Sequence, residues 1–167
     1  AMKKLISLMS IFVLSLCLLT GCGSDPVADE LEKFINTDMA QINTNMIATS
    51  DEFAKWENFK TAEELQESLN SAVLPRINDS LNKITKIQLE TQEVQALKAK
   101  YETMLQKLKD SCDHASTALQ TNDEQGMTNA SEEIKEAVAL YEEYNQAAQA
   151  LAKEHGVEVE ISSIDNK

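Results

Sequence analysis

The sequence predicts an all-α protein: an antiparallel up-down bundle of about four helices, ending in an extended C-terminal tail. Three observations carry this. Four Gly and two Pro in 167 residues lie far below the ~7% and ~5% of average usage, which disfavours a turn-rich β sandwich or a Gly-looped nucleotide fold. Apolar residues recur at steps of three and four through most of the chain. Helix start and stop signals fall between those stripes. The 43% hydrophobic content suits one core, and Lys+Arg 15 against Asp+Glu 28, a net charge of −13, argues against nucleic-acid binding.

The first segment is an address rather than part of the bundle. Met2-Lys3-Lys4 precedes an uncharged stretch from Leu5 to Ser24 that is apolar as far as Leu19. A basic start, an apolar centre and small residues before a cleavage point make residues 1–21 a secretory signal, with Ala1 read as non-native. The apolar run is shorter than the roughly 20 residues that a membrane-spanning helix needs. Export followed by cleavage is the expectation. Removing the first 21 of 167 residues leaves 146 and takes Lys3 and Lys4 away, so 13 basic residues face 28 acidic ones, a net of −15. Cys17 leaves with the signal, which puts Cys112 without a partner if Cys22 is modified.

Residues 22–25 form a short tether and residues 26–156 the bundle. Asp25 caps the first helix, with Pro26 at its first position and Asp29 and Glu30 in its first turn. Leu31, Ile35, Met39, Ile42, Met46 and Phe53 then predict one helix over about 26–57. Thr61 and Glu64 fit a capping box that opens a second segment, about 61–87, kinked or split at Pro75. Its stripe is Leu65, Leu69, Val73, Ile77, Leu81 and Ile84. A break is expected at 88–91, with Thr91 and Glu93 capping a new start. The third stripe follows at Val94, Leu97, Tyr101, Met104, Leu108, Cys112, Ala115 and Leu119.

The last helix has a heptad seam of Met127, Ala130, Ile134, Ala137, Tyr141, Tyr144, Ala148 and Leu151, opened at Asn122-Asp123 and closed at Gly156. His155 falls at its negative end, where a protonated imidazole is favoured. Val157, Val159 and Ile161 alternate with polar residues but have no second strand, so 157–167 reads as an extended or disordered tail.

Residues of possible chemistry are few. Asp110 and His114 share a helix face, but Cys112 lies about 200° round from His114 on an ideal helix, which splits a metal trio. Glu-x-x-His and His-Glu-x-x-His are absent, so di-iron and simple metalloprotease readings have no motif. Met39, Met46, Met104 and Met127 fall on apolar stripes, where thioethers fill gaps. Glu132, Glu133, Glu136, Glu142 and Glu143 form a carboxylate-rich face expected to be solvated. Phe53, Trp56 and Phe59 gather near the end of the first helix, either as a plug for the bundle or as an interaction patch. No catalytic, metal or cofactor residue is assigned, and no cofactor is expected.

Leu19-Thr20-Gly21-Cys22, in its place after the apolar run, resembles the lipobox of bacterial lipoproteins. The resemblance implies that Leu19, Thr20 and Gly21 are read by the signal peptidase and that Cys22 becomes the lipidated first residue. The mature chain also resembles small uncharacterised helical lipoproteins of Gram-positive bacteria of the Bacillus and Clostridium type. That likeness rests on Gly21 to Pro26, Leu31 to Asn36, Leu74-Pro75, Thr91 with Glu93-Val94, and Leu151 to Glu158. It implies a cell-surface location at the outer face of the cytoplasmic membrane and transfers no catalytic residue. The expected function is a membrane-anchored, non-enzymatic module whose partners are the membrane, through Cys22, and an envelope protein. The alternative is a surface lipoprotein that carries a small ligand or cation.

Overall fold

The computed structural model describes residues 24–159. The expected signal segment 1–21, the tether residues Cys22 and Gly23, and the tail from Glu160 onward lie outside the described residues. Every regular element among the described residues is helical.

The first arm is less regular than one continuous helix over 26–57. It comprises α1 (Pro26–Lys33), a π-helical turn (Phe34–Asp38), α2 (Ala40–Lys55) and a 3-10 turn (Trp56–Asn58). Asp25 caps α1 as expected, its carboxylate accepting the Val27 and Ala28 N–H groups at 3.1 and 3.2 Å. The second arm comprises α3 (Ala62–Glu67), a π turn (Ser68–Val73) and α4 (Leu74–Thr85). Thr61 and Glu64 form the expected capping box.

The two π turns have a common origin in the apolar pattern. Steps of four, such as Leu65, Leu69, Val73 and Ile77, drift about 40° each on an ordinary α-helix. The wider π turn absorbs the drift and keeps Leu69, Val73 and Ile77 fully buried. Leu31, Ile35 and Met39 in the first arm repeat the pattern, with the Met39 N–H reaching Phe34 O at 2.9 Å. The expected interruption at Pro75 is thereby resolved: Pro75 occupies the first turn of α4, where the missing N–H falls at the change of bonding pattern.

A break separates α4 from α5 (Gln92–Gln120), in the region expected. The cap at Thr91 differs from the expectation. The Thr91 hydroxyl caps none of the α5 amides; it donates instead to Glu30 of α1, whose carboxylate also accepts the Glu90 and Thr91 N–H groups at 2.7 and 2.9 Å. The Glu30 carboxylate, brought in from another arm, thus gathers the hydroxyl and the two N–H groups immediately ahead of α5.

α6 (Glu124–His155) follows a three-residue turn in which Asn122 has φ 52°. Asp123 caps it by accepting the Gly126 N–H at 2.9 Å. A Cβ on Gly126 would lie 2.6 Å from that carboxylate and 3.1 Å from the Ala118 Cβ, so a larger residue in this first turn of α6 would displace the Asp123 cap. Gly156 closes α6 in the left-handed conformation, φ 66°. Val159 then returns into the core.

α5 and α6 make the most extensive pairing, α4 lies against both α2 and α5, and α1 touches α5 and α6. Cross-arm contacts run in reversed order along successive arms. Asn45 meets Asp79 while Trp56 meets Ser68; Gln66 meets Ser116 while Ile87 meets Lys98; Tyr101 meets Tyr144 while His114 meets Glu133. The heptad seam is buried from Ala130 to Ala148, with its two ends, Met127 and Leu151, half-buried. At its centre Tyr101 of α5 packs edge-on against Tyr144 at 4.8 Å and Tyr141 at 6.1 Å between ring centroids.

Candidate functional site

The aromatic group expected as a plug or patch sits where the first arm turns into the second. Phe53 and Trp56 pack edge-on with centroids 4.5 Å apart, and Phe59 lies half-buried just beyond. Trp56 is turned inward and 6% exposed. Its indole N–H donates to Ser68 Oγ at 2.7 Å, and the Ser68 hydroxyl donates to Glu52 Oε1 at 2.9 Å. Burial raises the Glu52 carboxyl, but hydrogen bonds from Lys55 and Ser68 outweigh it and hold the group below its ordinary value. Spacing along one helix groups the rings; it says nothing of Ser68, which arrives from the other arm.

This relay makes a specific expectation. Ser68→Ala leaves a buried indole N–H without its acceptor, at a cost of about 1–3 kcal/mol. Urea unfolding followed by Trp56 fluorescence is expected to show a midpoint lowered accordingly. An unchanged midpoint would mean that the relay contributes nothing to folding.

The trio of Asp110, Cys112 and His114 is divided as helix geometry requires. Cys112 is buried, and burial pushes its thiol up to about 12. His114 is exposed and lies 2.7 Å from Glu133 Oε2, while Asp110 accepts from Gln106. Lys107 and Lys135 pair with Glu136 and Glu132. Met39, Met46 and Met104 are buried, and Met127 packs half-buried against the core. Among the described residues no group of three or more His, Cys, Asp or Glu side chains is placed to hold a metal ion.

The opposite end of the molecule gathers more polar contacts than sequence reasoning found. His155 Nδ1 lies 2.7 Å from Asp25 Oδ2, so the last residue of α6 is tied to the cap of α1. The His155 hydrogen bond, then the Ala28 N–H, hold the Asp25 carboxyl below the usual carboxylate range. The Glu30 contact ahead of α5 sits beside this one in the chain. Between residues 85–90 and the first turns of α5 lies an open groove of about 770 Å³, lined by Thr85, Ile87, Leu89, Gln95, Lys98 and Glu102 among others. Lys98 donates to Ile87 O at 2.7 Å and Gln95 to Leu89 O at 2.8 Å, holding the extended segment against α5.

The helical-end expectation for His155 identified its position but not Asp25, 130 residues away. Leu19, Thr20, Gly21 and Cys22 lie outside the described residues. Among the described residues no helix is long and apolar enough to cross a membrane. No protein-family model, curated protein or solved structure matches the chain.

Proposed function

We propose that the protein is an exported lipoprotein, held by lipid on Cys22 at the outer face of a Gram-positive cytoplasmic membrane. Its helical body acts as a non-enzymatic module for an envelope protein partner. The single observation that carries this reading is Leu19-Thr20-Gly21-Cys22 at the end of a basic start and an uncharged apolar run. Two or three acyl chains give the stable hold that one chain alone does not. The body is an up-down-up-down antiparallel bundle, a reading supported by the reversed order of contacts between successive arms.

Replacing Cys22 tests the anchor. Cys22→Ala is expected to abolish incorporation of labelled lipid and to leave the precursor uncut; lipid label on that variant would contradict the assignment. A pull-down from envelope extract with the lipidated protein then identifies the partner.

A second reading, a carrier of a small ligand, is favoured only by the groove between residues 85–90 and α5. Thermal unfolding against a metabolite and metal panel separates the two, because a ligand at about 100 times its Kd adds about 2.7 kcal/mol to the folded state. No shift at millimolar concentrations leaves the partner-binding module.

A further inference from the structure

The lipid reading fixes one end of a tether, and the structure fixes the other. We propose that the bundle stands end-on at the bilayer, with residues 86–91 and 155–159 toward the lipid headgroups. The Trp56–Thr61 and Thr121–Asp123 connections are then held away from it. This rests on lipidation of Cys22 and adds to it the surface that meets the membrane.

Three residues separate Cys22 from Asp25, at most about 10 Å of extended chain. Asp25 is held from both sides: one carboxylate oxygen caps α1 through Val27 and Ala28, and the other lies 2.7 Å from His155 at the end of α6. One turn further on, Glu30 holds the Glu90 and Thr91 N–H groups at the start of α5. The chain therefore leaves the bundle from an end face formed by α1, α5 and α6, and a tether of that length brings this face to the lipid.

Orientation follows from length and charge. α5 has 29 residues, which at 1.5 Å each carries its far end about 40 Å away. A tether alone would permit the bundle to lie down on the bilayer. Charge opposes that arrangement: the mature chain carries −15, and exposed carboxylates such as Glu32, Asp51, Glu67, Asp110, Glu136 and Glu143 are distributed over all four arms. An anionic lipid surface repels each of these sides. End-on standing holds these carboxylates off the surface and brings Glu90, Glu154 and Glu158 toward it, on a face that also carries Lys86, Lys153 and His155.

The test uses the full lipidated protein in vesicles of anionic phospholipid that carry a quencher on the headgroup. A fluorophore is attached in turn to Gln88→Cys and Gln120→Cys, both exposed positions at opposite ends. Cys112 is buried, with its thiol pushed to about 12, and stays unlabelled. The expected result is loss of most of the fluorescence at position 88 and none at position 120. Quenching at both positions, at 120 alone, or at neither overturns the orientation. Lipid on Cys22 is scored by mass in the same preparation. Its absence would overturn the lipoprotein reading and the orientation with it, whereas wrong quenching on lipidated protein would overturn the orientation alone.

Discussion

Tyr101→Ala is expected to lower stability by about 3–5 kcal/mol, the range for deleting a large buried ring. Tyr101 is 0% exposed and packs edge-on against Tyr141 and Tyr144, where the two longest helices cross. Its hydroxyl is buried without a hydrogen-bond partner, and that separates ring from hydroxyl. Tyr101→Phe keeps the packing, removes an unsatisfied polar atom and is expected to stabilise the protein by about 1 kcal/mol. Urea unfolding followed by far-UV circular dichroism checks both. A marked loss in Tyr101→Phe would mean that the hydroxyl has a partner in solution. Burial, reinforced by the neighbouring Tyr141 and Tyr144, pushes the Tyr101 phenol well above its ordinary value. A raised folded-state value makes this stability complete below the unfolded phenol range of about pH 10 and lost as pH rises above it.

Glu30→Ala is expected to cost about 1–2 kcal/mol, the cost of leaving partly buried donors without their acceptor. The partial exposure of the carboxylate argues for the lower part. The contact is tertiary: one side chain in α1 satisfies two backbone amides and a hydroxyl at Glu90 and Thr91, immediately ahead of α5. Glu30→Gln recovers part of this, because its amide oxygen still accepts from Thr91 while its NH2 faces the Glu90 N–H. Burial raises the Glu30 carboxyl, yet the bonds from Glu90 and Thr91 prevail and leave it lowered. A lowered folded-state value gives stability present above the unfolded carboxylate value of about 4.3 and lost as pH falls through the folded one. Acid titration of stability is therefore expected to be shallower in Glu30→Gln than in the parent. Parallel acid limbs would contradict the role given to Glu30.

Local chemistry made the helix boundaries legible. Asp25-Pro26, Thr61 with Glu64, Asp123 and Gly156 each act within a few residues of their own position, and each performs the expected task. The seam from Ala130 to Ala148 was legible because burial on one helix face imposes a period. Repeated steps of four at Leu65, Leu69, Val73 and Ile77 contained the signal for a π turn, which an ordinary α-helical template converts into an uninterrupted stripe. Glu30 with Thr91, Trp56 with Ser68 and Asp25 with His155 were not legible, since each joins arms whose relative position depends on the assembled core. The groove beside residues 85–90 is likewise a property of packing. Spacing places Phe53, Trp56 and Phe59 near one helix end, but only packing shows Phe53 against Trp56 and Trp56 turned inward.

The proposed lipid anchor would give the bundle its place and set which end meets the membrane. Mass spectrometry of the N-terminal peptide, from protein extracted from the membranes of its own cells, tests it most directly. The expected chain begins at Cys22 and carries diacylglycerol through a thioether, with residues 1–21 removed. A mature peptide that contains Cys22 with a free thiol, or that begins elsewhere, would contradict it.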